Sequence, residues 1–161
     1  MSPDSRPSGG IELFRGLSGA QASSLLPLGR PVHLAAGATI FRLGDAAREV
    51  YVIQSGQLSL TMPIRIRDAE EDAFVEEKGP GDLLGWSALA PPHRYTLTAR
   101  ATEDTDLTAF IGTELQAKFT LDPATGVVVL MNLIAMLGHR MHQTQAMWLR
   151  ELQRTLDTRV G

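Results

Sequence analysis

The sequence predicts a mainly β fold with flanking helices: a double-stranded, jelly-roll-like β-roll followed by a long C-terminal helix. Short β-forming runs such as Val50–Ile53 alternate with glycine turns between about Pro31 and Ile111, a pattern typical of sandwiches and barrels. Short helical segments precede these strands. An apolar pattern with helical spacing follows them and begins at Asp122-Pro123, a residue pair that favours a helix start.

The composition excludes several classes of protein. Lys and Arg number 15 against 18 Asp and Glu, a net charge of −3, so the basic excess of a nucleic-acid binder is missing. The chain has no cysteine, which excludes disulfides, thiolate zinc sites and cysteine nucleophiles. The most apolar run, Val127–Leu137, is too short to span a bilayer. We therefore expect a cytoplasmic protein with neither nucleic acid nor membrane as a partner.

The 161 residues divide into three segments. Residues 1–10 are rich in Ser, Pro and Gly, lack an apolar signal core, and are expected to be a disordered lead-in. Residues 11–122 form the predicted β-roll with short helices, in which Ser18 caps a helix through Leu26. The run Asp68–Asp72 is expected to be an acidic hairpin tip. Residues 123–161 contain the long helix.

An apolar stripe follows the long helix in alternating four- and three-residue steps, interrupted by Thr144. This spacing is typical of a coiled-coil seam. We expect the first half of the helix to pack on the barrel and the second half to extend past it. The sequence therefore predicts a homodimer through a seam formed by Leu130, Ile134, Leu137, Met141 and Trp148.

The rest of the chain is organised around one stretch, residues 79–101. A tight turn at Gly79–Gly81 leads to a helix-compatible run, Trp86–Ala90. Pro91 and Pro92 end that run, because proline fixes φ and has no N–H. An alternating strand, Tyr95–Ala101, follows. A short helix whose N–H groups open beside a strand favours an anion-binding site.

Glycines and small residues stand at characteristic positions along this β segment, where tight corners often need a positive φ. Together they resemble the cyclic-nucleotide-binding domain family, as in catabolite-activator-like sensor domains, over about Leu13 to Gln145. The motifs that carry the resemblance are Gly37, Gly44-Asp45, Gly56, Gly79-Pro80-Gly81-Asp82, Gly85-x-x-Ala88-Leu89 and Ala101.

The resemblance implies a phosphate-binding cassette, and this cassette departs from the family pattern. The family's ribose-binding Glu is replaced by Trp86, and Tyr95 stands where its phosphate-binding Arg would be, with Arg94 one residue earlier. Thr96 matches the small hydroxyl residue that supports the phosphate. Losing both charged anchors, at about 2–5 kcal/mol each, implies weak or absent cAMP binding.

Two interpretations of the cassette remain open. In the first, Trp86 stacks on a base, Arg94 swings into the vacated site, and a cyclic nucleotide or other small anion binds. In the second, Trp86 and Tyr95 fill the pocket and Arg94 lies on the surface. The predicted ligand-binding residues are Gly85, Trp86, Ser87, Ala88, Arg94, Tyr95 and Thr96.

These interpretations correspond to two functions. The first is a non-enzymatic, small-molecule-sensing regulatory module, and the second is an interaction adaptor with a downstream protein partner. Only about a dozen residues follow Trp148, too few for a helix-turn-helix domain, so we expect a stand-alone member. His139 and His142 are too few to hold a metal. Ser87 has no evident His–Asp partner, so we expect no catalytic and no metal site.

Overall fold

The computed structural model describes residues 11–160. The predicted lead-in, residues 1–10, lies outside the described residues.

Eight strands form two antiparallel sheets, as the sequence predicts. Each sheet has four strands, ordered β1-β8-β3-β6 and β2-β7-β4-β5. The two sheets face each other and enclose one apolar core. Together they form the β-roll. The strands are β1 (Arg30–Leu34), β2 (Thr39–Phe41), β3 (Glu49–Ser55), β4 (Leu58–Ile66), β5 (Ala69–Lys78), β6 (Leu83–Leu84), β7 (Thr98–Ala101) and β8 (Thr105–Ile111).

The centre of the first sheet, in β3 and β8, is buried on both of its faces. Tyr51 and Ile53 of β3 point into the roll together with Leu107 of β8. Val52 and Phe110 point the other way and pack against the helices in a second core. Successive side chains of a strand alternate between faces, so β-forming runs without polar interruption, such as Val50–Ile53, are suited to this sandwiched position.

Helical segments flank the roll at both ends. Ser18 caps the first α-helix in a capping box with Gln21, as predicted, although that helix ends at Leu25. Asp122 accepts a hydrogen bond from the backbone N–H of Thr125 and so caps the long helix. The helices are α1 (Gly19–Leu25), α2 (Gly112–Leu121) and α3 (Pro123–Val160), with 3₁₀ turns at Glu12–Phe14, Leu26–Leu28 and Trp86–Leu89.

The two halves of α3 differ in their surroundings. In the first half, Val129 and Leu133 are buried in the second core. The Asn132 side chain donates hydrogen bonds to the carbonyls of Leu13 and Arg15, at 2.9 and 2.8 Å. Residues 141–159 are exposed without exception. The helix therefore packs on the roll over its first half and leaves it over its second.

By length and composition alone, the segment Pro123–Arg159 would qualify as a membrane span. The sequence prediction considered only Val127–Leu137, whereas the helix continues well beyond that run. Core helices of soluble proteins pass the same test but are mostly buried, whereas 22% of the apolar window of this segment is buried. Val129 and Leu133 are among the buried residues of α3.

The predicted acidic hairpin tip is wrong in its extent. β4 and β5 are joined at Arg67-Asp68, where Arg67 adopts a φ of +56°. The acidic residues that follow already belong to β5, and Glu70 lies opposite Arg65. The hairpin turns earlier than expected, which places the acidic run beside the strand that carries Arg65.

The glycine turns have the conformation expected from the sequence. Gly56 has a φ of +89°, and a Cβ at this position would lie 2.5 Å from the carbonyl oxygen of Asp104. Only glycine fits such a close approach without displacing backbone. The turn at Gly56 therefore requires the residue that the sequence supplies.

Candidate functional site

The cassette begins with a tight turn rather than a helix. Gly85 adopts a left-handed conformation with a φ of +74°. Trp86–Leu89 then forms a single 3₁₀ turn, in which the Ala88 N–H bonds the Gly85 carbonyl at 3.0 Å. The predicted helix-compatible run Trp86–Ala90 is thus a 3₁₀ helix that ends one residue earlier, at Leu89. Its single turn aligns fewer peptide dipoles than a longer helix does.

The strand after the two prolines is shorter than predicted. β7 begins at Thr98, and Tyr95 lies in the irregular segment before it. His93, which precedes this segment, has a φ of +54°. The predicted alternation nevertheless holds along the segment. Tyr95 and Leu97 are buried, whereas Arg94 is exposed. A one-residue step along an extended chain turns a side chain to the opposite face.

Tyr95 is buried and stacked on another ring. Its ring lies 3.8 Å from that of Phe41 between centroids, at an interplanar angle of 13°. Phe41 in turn stacks on Tyr51 at 6.0 Å. These three rings, the aromatic stack, join β2, β3 and the cassette. Tyr95 is 6% exposed, so its side chain is buried within the cassette.

Glu49 fixes the polar ends of the aromatic stack. The Tyr95 hydroxyl donates to the Glu49 carbonyl at 2.9 Å, and the Tyr51 hydroxyl donates to the Glu49 carboxylate at 2.8 Å. Arg30 pairs with the other carboxylate oxygen at 2.7 Å. Partial burial raises the pKa of Glu49, but the hydrogen bonds from Arg30 and Tyr51 outweigh it, and the net pKa is lowered. Burial raises the pKa of both phenols, which keeps their hydroxyls protonated as donors.

The space left beside Tyr95 is small. The cavity at this position measures about 20 Å³, roughly the room for one water molecule. Ligand sites usually measure about 300–1,000 Å³, so this cavity is much smaller than a usual ligand site. The cavity is lined by the predicted residues Gly85, Trp86, Ser87, Tyr95 and Thr96, and by Phe41, Leu60, Leu83, Leu84, Leu97 and Arg140.

Two predicted ligand-binding residues lie away from this cavity. Ala88 is buried in the core of the roll. Arg94 is exposed, and its guanidinium donates to the Gly44 carbonyl at 2.8 Å. The backbone of Arg94 also forms an isolated bridge with Ala46. In this structure Arg94 therefore bonds the neighbouring turn, and its guanidinium does not face the cavity.

Sequence reasoning missed two residues that shape the cassette. Phe41 stacks on Tyr95 from a strand more than fifty residues earlier, and Arg140 reaches the cavity from α3. Both contacts depend on how distant segments pair. Phe41 lies in a visible run of β-formers, but no local pattern in the sequence indicates which ring it meets.

The predicted dimer residues lie mostly on the surface of α3. Ile134, Met141 and Trp148 are 61%, 57% and 66% exposed, and Leu130 is also exposed. Leu137 differs, because it is partly buried against the second core. Four of the five predicted seam residues therefore present apolar area to solvent on this chain.

Comparison with known proteins identifies the family. The family model described as cyclic nucleotide-binding domain matches residues 31–120. Among curated proteins, the cyclic AMP receptor protein of Thermus thermophilus is 28% identical over 134 residues, which cover 83% of this chain and 59% of that protein. The chain thus spans less than two thirds of the length of that relative.

Solved structures agree on the fold. The catabolite activator protein of Thermus thermophilus superposes with a TM-score of 0.70 at 26% identity, covering 85% of this chain and 61% of that one. A cyclic nucleotide-binding domain from Methylobacillus flagellatus gives a TM-score of 0.78 at 18% identity, covering 88% and 78%. With the β-roll, the glycine turns and the family match over residues 31–120 in agreement, this chain belongs to the cyclic nucleotide-binding domain family.

Proposed function

We propose that this chain is a non-enzymatic regulatory module in which Tyr95 has taken the place of the cyclic nucleotide. The observation that carries the proposal is the stacking of the Tyr95 ring on Phe41 at 3.8 Å, inside the cassette. The relative in Thermus thermophilus is named for cyclic AMP. If this chain bound cyclic AMP in its cassette, the ligand would have to displace the buried Tyr95 ring. Such a module acts through its surfaces, in the cytoplasm, on a protein partner.

A second copy of the chain is the first partner that we propose. Ile134, Met141 and Trp148 expose apolar area along one side of α3. Gly138 lies between the first two of these residues on the same side, and a Cβ there would meet no atom within 4 Å. Glycine inside a helix costs about 1 kcal/mol relative to alanine. A closely packed second helix would offset that cost, and pairing would cover the seam.

Binding of a small anion near Gly85 and Ser87 stays a prediction. The geometry gives it little support, because Arg94 bonds Gly44 and Ser87 is buried. No group of three or more His, Cys, Asp or Glu side chains within residues 11–160 is arranged to hold a metal ion. The described features therefore favour the interaction module over the nucleotide sensor.

Calorimetry tests the proposal. Titration of the full chain with cAMP and with cGMP, each up to about 1 mM, is expected to give no binding heat. Tyr95→Phe, which keeps the ring and loses the hydroxyl, is the matched control and should also show none. A dissociation constant below about 100 µM for either nucleotide with the wild-type chain would overturn the proposal.

A further inference from the structure

Met141 is the first residue of the exposed half of α3. One residue earlier, Arg140 Nε lies 2.6 Å from Oε1 of Glu76 in β5, as an ion pair. From Met141 to residue 159 every residue is exposed, and Met141 itself is 57% exposed. On a single chain, a side chain this exposed is accessible to small reagents in solution.

Met141 also holds the middle of the predicted dimer seam. Its apolar neighbours along the seam are Leu137 and Trp148, eleven residues apart, or about 16 Å at 1.5 Å per residue. The other residues on this side of the helix between them are glycine or polar, such as Gly138 and Thr144. Apolar pairing in the middle of the seam therefore depends on the Met141 side chain.

Methionine supplies all the sulfur of this chain, which has six methionines and no cysteine. A dissolved oxidant reaches an exposed thioether more readily than a buried one. Met136 is partly buried against the second core, whereas Met131, Met141 and Met147 are 59%, 57% and 56% exposed. Of these three exposed methionines, Met141 is the one that belongs to the predicted seam.

We propose that Met141 is an oxidation site that controls whether two copies of this chain pair, an inference that rests on the proposed homodimer. The oxidant is a hydroperoxide. With hydrogen peroxide, the thioether sulfur gives up two electrons and forms an S–O bond while the O–O bond breaks. The proton of the transferred hydroxyl passes to the departing oxygen, which leaves as water. The sulfoxide is polar, and pairing would remove it from water without a hydrogen-bond donor.

Oxidation acts on the unpaired chain, because pairing would cover Met141. The oxidised chain pairs weakly, so the reaction withdraws unpaired chains and draws further dimers apart by mass action. The reaction should therefore slow as the protein concentration rises. An exposed methionine outside any interface would show no such dependence. Reduction of the sulfoxide restores the thioether and with it the pairing.

Sedimentation of the full chain before and after hydrogen peroxide treatment tests the inference, with peptide mass spectrometry to locate each sulfoxide. Oxidation of Met141 should raise the dimer dissociation constant at least about tenfold. The two methionine sulfoxide reductases, one for each sulfoxide epimer, should restore pairing when a dithiol is supplied. Relative to N-acetylmethionine in the same solution, Met141 should be oxidised more slowly at high protein concentration than at low. An unchanged dissociation constant, or the same relative rate at every concentration, would overturn the inference.

Matched variants separate Met141 from the other exposed methionines. Met141→Leu keeps an apolar side chain that peroxide does not oxidise, so its pairing should resist the treatment. Met131→Leu and Met147→Leu retain Met141 and should lose pairing as the wild-type chain does. Met141→Gln, a polar side chain of similar length, should raise the dissociation constant about tenfold without any oxidant. Because Met141 is exposed, these changes at position 141 do not touch the core.

The outcomes distinguish this inference from the homodimer on which it rests. A wild-type chain that is monomeric before oxidation would overturn both. A dimer that persists with Met141 oxidised, or a Met141→Leu dimer as sensitive to peroxide as the wild-type one, would overturn the oxidation site alone.

Discussion

The cassette cavity and a second cavity, between α3 and the end of β5, are neighbours of very different volume. They share Trp86 and Arg140 as walls, yet one measures about 20 Å³ and the other about 530 Å³. The buried Tyr95 ring lines only the smaller of the two cavities, whereas Trp86 lines both. A fold shared with nucleotide-binding relatives therefore does not fix where, or whether, a ligand binds.

The largest expected effect comes from emptying the filled cavity. Tyr95→Ala should lower the free energy of unfolding by about 3 kcal/mol, because it leaves a void and ends the stacking on Phe41. Trp86→Ala removes a partly exposed ring and should cost about 1 kcal/mol. Urea denaturation at one protein concentration measures both. If the two variants lost equal free energy of unfolding, the two rings would be equally well packed, which would contradict the comparison.

Breaking the seam should leave both cavities intact. Ile134→Lys combined with Met141→Lys places charges at positions that pairing would desolvate, and should raise the dimer dissociation constant at least about 100-fold, or 2.7 kcal/mol. Leu149→Lys is the matched control, because Leu149 is exposed and, in the seven-residue repeat, lies outside the positions that form or flank the seam. Sedimentation at about 50 µM measures association. A monomeric wild-type chain, or dissociation by the control, would contradict the seam.

A pH titration examines what holds the filled cavity together. The folded-state pKa of Glu49 is lowered, so its contribution is present above its ordinary value of 4.5 and is lost as the pH falls below it. Between about pH 6 and pH 3, the wild-type chain should therefore lose more stability than Glu49→Gln. The comparison uses thermal unfolding at each pH. Parallel curves for the two chains would show that the bonds from Arg30 and Tyr51 contribute nothing.

The smallest expected effect concerns Arg94. Because its guanidinium is exposed and bonds only the Gly44 carbonyl among the described residues, Arg94→Ala should change the free energy of unfolding by less than about 1 kcal/mol. If some nucleotide or anion binds the wild-type chain and loses tenfold or more affinity in this variant, Arg94 reaches the cassette after all.

Local patterns in the sequence predicted most of the fold. Positive-φ glycines such as Gly56, the cap at Ser18 and the helix start at Asp122 depend on neighbours a few residues away, and all are found. The candidate site depends instead on contacts between residues that are far apart in the sequence. The alternation of buried and exposed residues from Tyr95 onward was visible, but neither the stacking on Phe41 nor the reach of Arg140 into the cassette follows from spacing along the chain.

The ion pair between Arg140 and Glu76 also has a geometric consequence. Among the described residues it is the last polar contact between α3 and the roll along the chain. About 20 residues of the helix extend beyond it, a length of roughly 30 Å at 1.5 Å per residue. A tilt of about 10° at Arg140 would displace the far end of such a rod by about 5 Å. A change at this one ion pair would thus become a displacement larger than an atomic diameter at Leu156.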